Sequence, residues 1–237
     1  MGRIFEVRKA KMFARYDRMA KQFTRFGKEI AIAVKQAGPE PENNPMLRRI
    51  MQNAKAINMP KERIESAIKR AASKESATNY DEVLYEGYAP HGIAVLVETA
   101  TDNTTRTVAN MRSLFNKGNG NLGNSGSVSF MFNRMGVFKL NPKGLDQETL
   151  ELELIDAGLE ELGEDEEGNI IVWCAFNDFG AMQKALEDKG IEPVSSELEW
   201  IPTTTTELPE NEAEDVLKLV ARLEEDDDVQ KVYHNLR

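Results

Sequence analysis

The chain has 237 residues, of which 41% are hydrophobic and 30% are charged, a composition typical of a folded globular protein and unlike that of a disordered or collagen-like chain. Its net charge of −10 conceals an asymmetry, because residues 1–75 hold 18 Lys and Arg against 8 Asp and Glu, whereas residues 76–237 hold 12 against 32. This asymmetry predicts a polyanion-binding region at the N-terminus. The alternative is a basic surface that pairs with the acidic part of the same chain.

Several classes of protein are excluded by what the sequence lacks. No apolar stretch approaches the ~20 residues that cross a bilayer, and no apolar segment follows the basic N-terminus as a signal peptide requires. We therefore expect a cytoplasmic protein that does not span a membrane. Cys174 is the single cysteine, and with only two histidines there is no cluster at zinc-ligand spacing. We expect neither a metal nor a cofactor.

The first predicted element is a long amphipathic helix over residues 8–35. Apolar residues recur at intervals of three and four, which predicts a buried stripe, formed by Met12, Tyr16, Met19, Phe23, Phe26 and Ile30. Basic residues with the same spacing form an opposite face, made of Arg8, Lys11, Arg15, Arg18, Lys21, Arg25 and Lys28. Between Lys9 and Lys28 the only acid is Asp17, so this face favours an anionic partner. A membrane-surface helix has the same pattern, but no lipidation motif supports it.

Thr24 and Gly27 are predicted to divide this segment into two helices. Two shorter helices follow, over residues 45–57 and 60–71, the first capped by Asn44. Residues 20–72 then form a helical bundle with basic outer faces, and a linker follows at residues 72–80. The predicted nucleic-acid-binding residues are Arg8, Lys9, Lys11, Arg15, Arg18, Lys21, Arg25, Lys28, Arg48, Arg49, Lys55, Lys61, Arg63, Lys69 and Arg70.

After the linker, the periodicity of the sequence changes from helix to strand. It predicts strands at 85–88, 93–99 and 127–132, and a helix between the last two that is capped by Asp102 or Thr101. The polar segment 116–126 is rich in glycine and could form an anion nest, although it lacks the lysine and hydroxyl of a phosphate-binding P-loop. We expect residues 118–126 to form a mobile surface loop with few apolar anchors, one that assists partner docking rather than binding a nucleotide.

Residues 136–200 show the order βαββαβ, which is the ferredoxin-like arrangement. The remaining helix at 210–223 and strand at 229–233 are too small to form a core of their own. The simplest topology uses them to complete the middle domain, with the ferredoxin-like unit as an insertion. We therefore predict a basic helical domain at residues 1–75, an α+β domain at 76–133 plus 205–237, and an inserted α+β domain at 134–204.

Candidate catalytic groups are few. His91 is predicted to be a loop histidine without a catalytic partner, and Cys174 to be a buried, inert thiol in an apolar strand. The acidic runs at 164–167 and 224–228 lack the pattern of an EF-hand loop and are predicted to be solvated turns. We expect no catalytic residues. A remote alternative is a metal-dependent hydrolase that uses Glu86, Glu98 and Asp102 around Mg²⁺.

Two long segments carry a family resemblance. Residues 47–71, LRRIMQNAKAINMPKERIESAIKRA, and residues 85–136, from YEGYAPHGIAVLVETATDN to MFNRMG, closely resemble the YebC/PmpR family of probable transcriptional regulators. The resemblance implies an N-terminal helical domain followed by two α+β domains, the third of them ferredoxin-like and inserted in the second. The chain departs from the family at its start, where many members have a Gly-His-Ser-Lys-Trp sequence, so contacts made by that histidine or tryptophan do not transfer.

The expected function combines this resemblance with the charge pattern. We expect a non-enzymatic DNA-binding regulator of transcription that reads shape and backbone, because the helix at 60–71 offers phosphate-binding residues but no Asn or Gln for adenine. The acidic domains are expected to present surfaces to protein partners. The alternative is a ribosome-associated translation factor that binds ribosomal RNA, since relatives of the family include such factors. The sequence gives neither the target site nor the oligomeric state.

Overall fold

The computed structural model describes residues 3–73 and 78–237, with side chains from residue 19 onward. The chain begins with three helices: α1 (Arg3–Ala37), α2 (Pro45–Ala56) and α3 (Lys61–Ala72). Ile30, Leu47, Ile50 and Ile64 are fully buried between them and form the centre of this helical region. The apolar stripes predicted from the sequence therefore do pack against one another.

Asn44 connects the first two helices. Its side-chain oxygen accepts a hydrogen bond from the backbone N–H of Leu47 at 3.0 Å, which caps α2 as predicted. Its amide nitrogen donates to the carbonyl oxygens of Ala33 and Gly38, at 2.8 and 2.9 Å. Gly38 has a φ of +87°, the left-handed conformation that commonly ends a helix. One buried side chain thus fixes the turn between α1 and α2.

The predicted division of the first helix is wrong, because α1 continues through both Thr24 and Gly27. The Thr24 hydroxyl donates to the carbonyl of Ala20 at 3.0 Å, an arrangement that helices tolerate. A single glycine costs a helix about 1 kcal/mol. Packing of Phe23, Phe26 and Ile30 into the core outweighs that cost.

The next part of the chain forms a four-stranded antiparallel sheet in the order β3-β1-β2-β8. Its elements are β1 (Asp81–Tyr88), β2 (Ala94–Thr101), α4 (Thr104–Lys117), β3 (Asn121–Leu122), α7 (Glu210–Glu224) and β8 (Val229–His234). Val95 and Val97 of β2 pack against Met111 and Phe115 of α4 and against Leu219 of α7, and all five are fully buried. The C-terminal helix and strand therefore complete this sheet and its core.

Between β3 and α7 the chain forms a second antiparallel sheet, in the order β5-β6-β4-β7. Its elements are β4 (Phe132–Leu140), α5 (Gln147–Leu154), β5 (Leu159–Glu164), β6 (Ile170–Ala175), α6 (Phe179–Asp188) and β7 (Ser195–Pro202). This is the βαββαβ ferredoxin-like arrangement. The predicted fold class, a helical region followed by an α+β domain with a ferredoxin-like insertion, is confirmed. In the described part of the chain, no helix has the length and apolar character needed to cross a membrane.

Two local predictions in the middle region are wrong. Residues 127–132 do not form a strand, because Ser129–Met131 is a 3₁₀ turn and β4 starts only at Phe132. The cap of α4 is Asn103, whose side chain accepts from the backbone N–H of Arg106 at 3.0 Å, and not Asp102 or Thr101. Thr101 is buried and bonds instead to Asp228 at 3.2 Å.

Candidate nucleic-acid interface

The helical region presents two basic surfaces with different surroundings. The outer face, defined here as Lys55, Lys61, Lys69 and Arg70, lies on α2 and α3 and is exposed. Only Lys61 has an ion-pair partner among the described residues, the carboxylate of Glu65 at 3.5 Å, and both of these side chains are largely exposed. Exposed pairs of this kind hold a side chain only weakly. The outer face therefore keeps its positive charge available.

Two other predicted residues have local partners. The Arg48 guanidinium donates to the carbonyls of Pro41 and Glu42, both at 2.8 Å, and so stabilises the turn before α2. Arg63 lies 5.5 Å from the centroid of the Phe23 ring, which places its charge against α1. Both side chains stay exposed, so they contribute to the charge of the helical region while stabilising its structure.

The inner face, defined as Arg25, Lys28, Arg49 and Asn53, is directed at the acidic α+β domains. The Lys28 ammonium is buried and donates to the carbonyls of Ala100 and Asp227, at 2.9 and 2.7 Å. It also forms an ion pair with the carboxylate of Asp228 at 3.0 Å. The prediction that Lys28 contacts phosphate is therefore wrong, because all three of its donors are directed at the α+β domain.

Asp228 collects hydrogen bonds from three elements. Its second carboxylate oxygen accepts from Arg106 at 2.7 Å and from the hydroxyl of Thr107 at 2.8 Å, both on α4. Although burial opposes ionisation, the hydrogen bonds from Arg106, Lys28 and Thr107 lower the pKa of Asp228 to about 2. The carboxylate is therefore charged at neutral pH and holds α1 against α4.

Other inner-face residues strengthen this contact. The Arg25 guanidinium donates to the carbonyl of Glu224 at 3.0 Å, at the end of α7. The Asn53 side chain both donates to the carbonyl and accepts from the N–H of Ser196 in β7, each at 3.0 Å. Arg49 lies 5.3 Å from the ring centroid of Phe179. The helical region thus contacts both sheets. For part of the basic surface, this is the alternative that the sequence left open, in which basic residues pair with the acidic part of the same chain.

The end of the glycine-rich loop is anchored by hydrogen bonds, a polar anchor that the expectation of few apolar anchors did not include. The buried carboxylate of Glu86 accepts from the backbone N–H groups of Gly126, Val128 and Ser129 at 2.7 to 2.8 Å. These bonds lower the pKa of Glu86 despite its burial. A loop prepared for an anionic ligand would keep these donors free, whereas here they are used by a side chain of the protein itself. The acidic residue in the middle of an apolar strand is the sequence signal that we missed.

The residues of the hydrolase alternative do not form a common site. Glu86 is held by the loop, the Glu98 carboxylate accepts from Trp200 and Tyr233, and Asp102 forms an ion pair with Arg106 at 2.8 Å. Among the side chains that the structure describes, those of residues 19–73 and 78–237, no three of His, Cys, Asp or Glu are arranged to hold a metal ion. The alternative loses the three-carboxylate site on which it depended.

The two other candidate catalytic side chains are His91, which has carboxylate partners, and Cys174, which is buried. His91 lies in the turn Pro90–Gly92, near the carboxylates of Glu212 and Asp215 at 3.6 and 3.4 Å, which are partners that its sequence neighbours did not indicate. Cys174 is buried, and burial raises the pKa of its thiol to about 11. A thiol in this state is a poor nucleophile.

Five of the predicted nucleic-acid-binding residues lie outside the part of the chain whose side chains are described: Arg8, Lys9, Lys11, Arg15 and Arg18.

The comparisons with known proteins decide the family. The model described as the TACO1/YebC N-terminal domain matches residues 3–74, and that of the TACO1/YebC second and third domain matches residues 80–236. The chain belongs to the TACO1/YebC family. The resemblance seen in the sequence is thereby confirmed. It covers nearly the whole length, including the helical region that carries the outer face.

Similar proteins come from bacteria. A protein of Myxococcus xanthus is 62% identical and one of Anaeromyxobacter dehalogenans is 58% identical, each over 240 residues that cover 100% of both chains. Both carry the name probable transcriptional regulatory protein. A crystal structure of a conserved hypothetical protein from Aquifex aeolicus is 38% identical, with a TM-score of 0.80 over 92% of this chain and 90% of that one.

Proposed function

We propose that this protein is a non-enzymatic regulator of transcription that binds DNA through its basic helical domain, residues 1–75. The names of its relatives support a role in transcription. The observation that carries DNA binding is the outer face: Lys55, Lys69 and Arg70 are exposed and form no ion pair with any residue in the described ranges. Unpaired, clustered positive charge is the surface that a phosphate backbone binds.

The acidic domains direct the nucleic acid to the helical domain. They carry 32 Asp and Glu against 12 Lys and Arg in residues 76–237, so their surfaces repel a polyanion and leave the helical domain as its docking point. Because Arg25, Lys28 and Asn53 of the inner face are bonded to those domains, the outer face is the described part of the helical domain that meets duplex DNA. Its side chains are suited to phosphates rather than base edges, so recognition depends on backbone and shape.

The test is a double substitution on the outer face, Lys69→Gln with Arg70→Gln. Binding to a duplex DNA of about 20 base pairs is measured by fluorescence anisotropy over a range of salt concentrations. We expect the variant to bind more weakly and to show a shallower salt dependence, by roughly one unit of log–log slope per lost phosphate contact. The matched control is Lys143→Gln with Lys184→Gln, which removes the same charge from exposed sites on the ferredoxin-like domain.

The outcomes separate the alternatives. Equal losses in both variants would mean that net charge and not the outer face determines binding, and the proposal would be wrong. A structured ribosomal RNA fragment is measured in parallel, because the same basic surface suits its backbone. Binding of that RNA at much higher affinity than duplex DNA, with the same dependence on Lys69 and Arg70, would replace transcription by the translation-factor alternative.

A further inference from the structure

The three domains line a partly open cavity of about 660 Å³ at their junction. Its wall includes Arg49 from α2, Arg134 from β4 and Trp200 from β7. A volume of this size is typical of a site for a small molecule or a single nucleotide, and such sites occur preferentially at domain interfaces. A nucleic-acid duplex, about 20 Å wide, is too large to enter.

Arg134 is the first unusual feature of this cavity. It is exposed and makes no hydrogen bond or ion pair with a described residue. Its guanidinium lies 4.8 Å from the ring centroid of Phe176 and 5.8 Å from that of Trp200. The Phe176 side chain is 44% exposed and lies beside the cavity rather than in its wall. The rings hold the guanidinium in place while its N–H donors remain available.

Arg49 supplies a second guanidinium from the opposite domain. It also forms no hydrogen bond or ion pair with any residue of the described ranges. Burial lowers its pKa, the charge of Arg134 acts in the same direction, and the nearby carboxylates of Glu29 and Glu197 oppose both effects. Two guanidiniums of like charge on one cavity wall repel each other, so an anion between them is favoured.

The cavity wall also holds the carboxylates of Glu29, Glu82, Glu98 and Glu197, of which Glu98 and Glu197 are bonded to other groups. Glu197 forms an ion pair with Lys231. Glu98 accepts hydrogen bonds from the Trp200 indole at 2.9 Å and from the Tyr233 hydroxyl at 3.2 Å. Burial raises the pKa of Glu29 to about 7, so this group is partly neutral near physiological pH. None of these carboxylates bonds to Arg49 or Arg134, whose donors are therefore available to a ligand.

We propose that this junction binds an unpaired nucleotide of a single-stranded nucleic acid, with its phosphate between Arg49 and Arg134 and its base stacked on the Phe176 and Trp200 side. Guanidiniums bind phosphate through two parallel hydrogen bonds. Bases of single strands stack on exposed aromatic rings and on guanidinium planes without a requirement for sequence. The proposal rests on the nucleic-acid binding proposed above and adds a second contact, for strands that are not paired.

The experiment uses the full-length protein and labelled 12-nucleotide oligo-dT and oligo-U, measured by fluorescence anisotropy beside the duplex DNA. Arg134→Gln is expected to weaken single-strand binding about tenfold and to leave duplex binding unchanged, as is Phe176→Leu, which keeps the apolar volume and removes the ring. Lys143→Gln is the control, because it removes an exposed charge from the same domain. Unchanged melting temperatures establish that the variants fold.

The results distinguish this inference from the proposed function. Single-strand binding that is insensitive to Arg134→Gln, or duplex binding without single-strand binding, would overturn the inference and leave the proposed function intact. Single-strand binding that depends on Arg134, without duplex binding, would support the inference and overturn the duplex proposal. Uridine monophosphate, titrated by calorimetry, tests the other source of the same chemistry. If it bound as tightly as oligo-U and with the same dependence on Arg134, a free nucleotide would replace the single strand.

Discussion

The inner and outer faces of the helical domain both carry basic residues, but the inner face packs against the α+β domains and the outer face is exposed. Lys28, on the inner face, is 8% exposed and donates to two carbonyls and a carboxylate of the α+β domain. Lys69, on the outer face, is exposed and has no ion-pair partner in the described part of the chain. The first charge holds the domains together, whereas the second is available to a polyanion.

The difference shows that a basic sequence segment can perform both of the roles that its charge suggests. Part of the surface pairs with the acidic domains of the same chain, and part is left for a partner. Which of these roles a basic residue has depends on the acceptor groups around it. An ammonium whose water contacts are all replaced by protein acceptors is no longer available to phosphate.

The largest effect is expected for Lys28→Met. The substitution leaves two carbonyls and part of the Asp228 carboxylate buried without their donor, and removal of one partner of a buried pair typically costs about 3 kcal/mol. Urea unfolding should show this loss in the free energy of unfolding. Lys69→Met serves as the control and should change that free energy by less than about 0.5 kcal/mol. Similar losses for the two variants would contradict the separation of the faces.

A smaller loss is expected for Glu86→Gln. The amide keeps the shape of the side chain but replaces one of the oxygens that accept the N–H groups of Gly126, Val128 and Ser129. Bonds to a charged acceptor are stronger than neutral ones, so we expect a loss of about 2 kcal/mol and faster amide exchange in residues 123–129. Thermal unfolding and hydrogen exchange measure the two effects. Glu82→Gln, on an exposed part of the same strand, should change neither.

Glu29, which follows Lys28 on α1, should make the stability of the protein depend on pH. Burial raises its pKa from 4.5 to about 7 in the folded protein, so between these pH values the folded state holds a proton that the unfolded state has lost. The free energy of unfolding therefore falls as the pH rises through this interval. Glu29→Gln should flatten the fall when urea unfolding is measured from pH 5 to pH 8. An identical slope in the variant would contradict the assignment.

The ionisation of Asp228 does not affect the pH dependence measured for Glu29. Its pKa is lowered from 3.8 to about 2, so its contribution to stability is present above pH 3.8 and is lost only as the pH falls through that lower range. The two groups therefore act in separate intervals of pH and with opposite signs. A measurement between pH 5 and pH 8 reports on Glu29 without a contribution from the ionisation of Asp228.

The smallest effect is expected for Lys61→Gln on the outer face. The side chain pairs with Glu65 at 3.5 Å, but both groups are well exposed to water and salt. We expect a change in the free energy of unfolding of less than about 0.5 kcal/mol, and a smaller one at high salt. Urea unfolding at low and high ionic strength checks this result. A loss approaching that of Lys28→Met would remove the distinction between the faces.

The periodicity of the sequence predicted most of the fold because local patterns carry it. The spacing of Leu47 and Ile50 predicted the buried side of α2, and the order of strands and helices after residue 134 predicted the ferredoxin-like unit. Residues 127–132 were assigned to a strand wrongly, because the backbone N–H groups of Val128 and Ser129 bond to Glu86, about 40 residues earlier in the chain. No local pattern contains that partner.

Local sequence patterns predicted only part of the candidate site. The sequence by itself determined the family, the fold class and a helical region rich in positive charge, since each depends on residue identity and short-range spacing. Tertiary structure decided which charges remain available, because Asp228, which binds Lys28, is 200 residues away in the chain. It also brought Arg49 and Arg134 to one cavity from two domains. Burial and pairing depend on distances in space, and spacing along the sequence does not encode them.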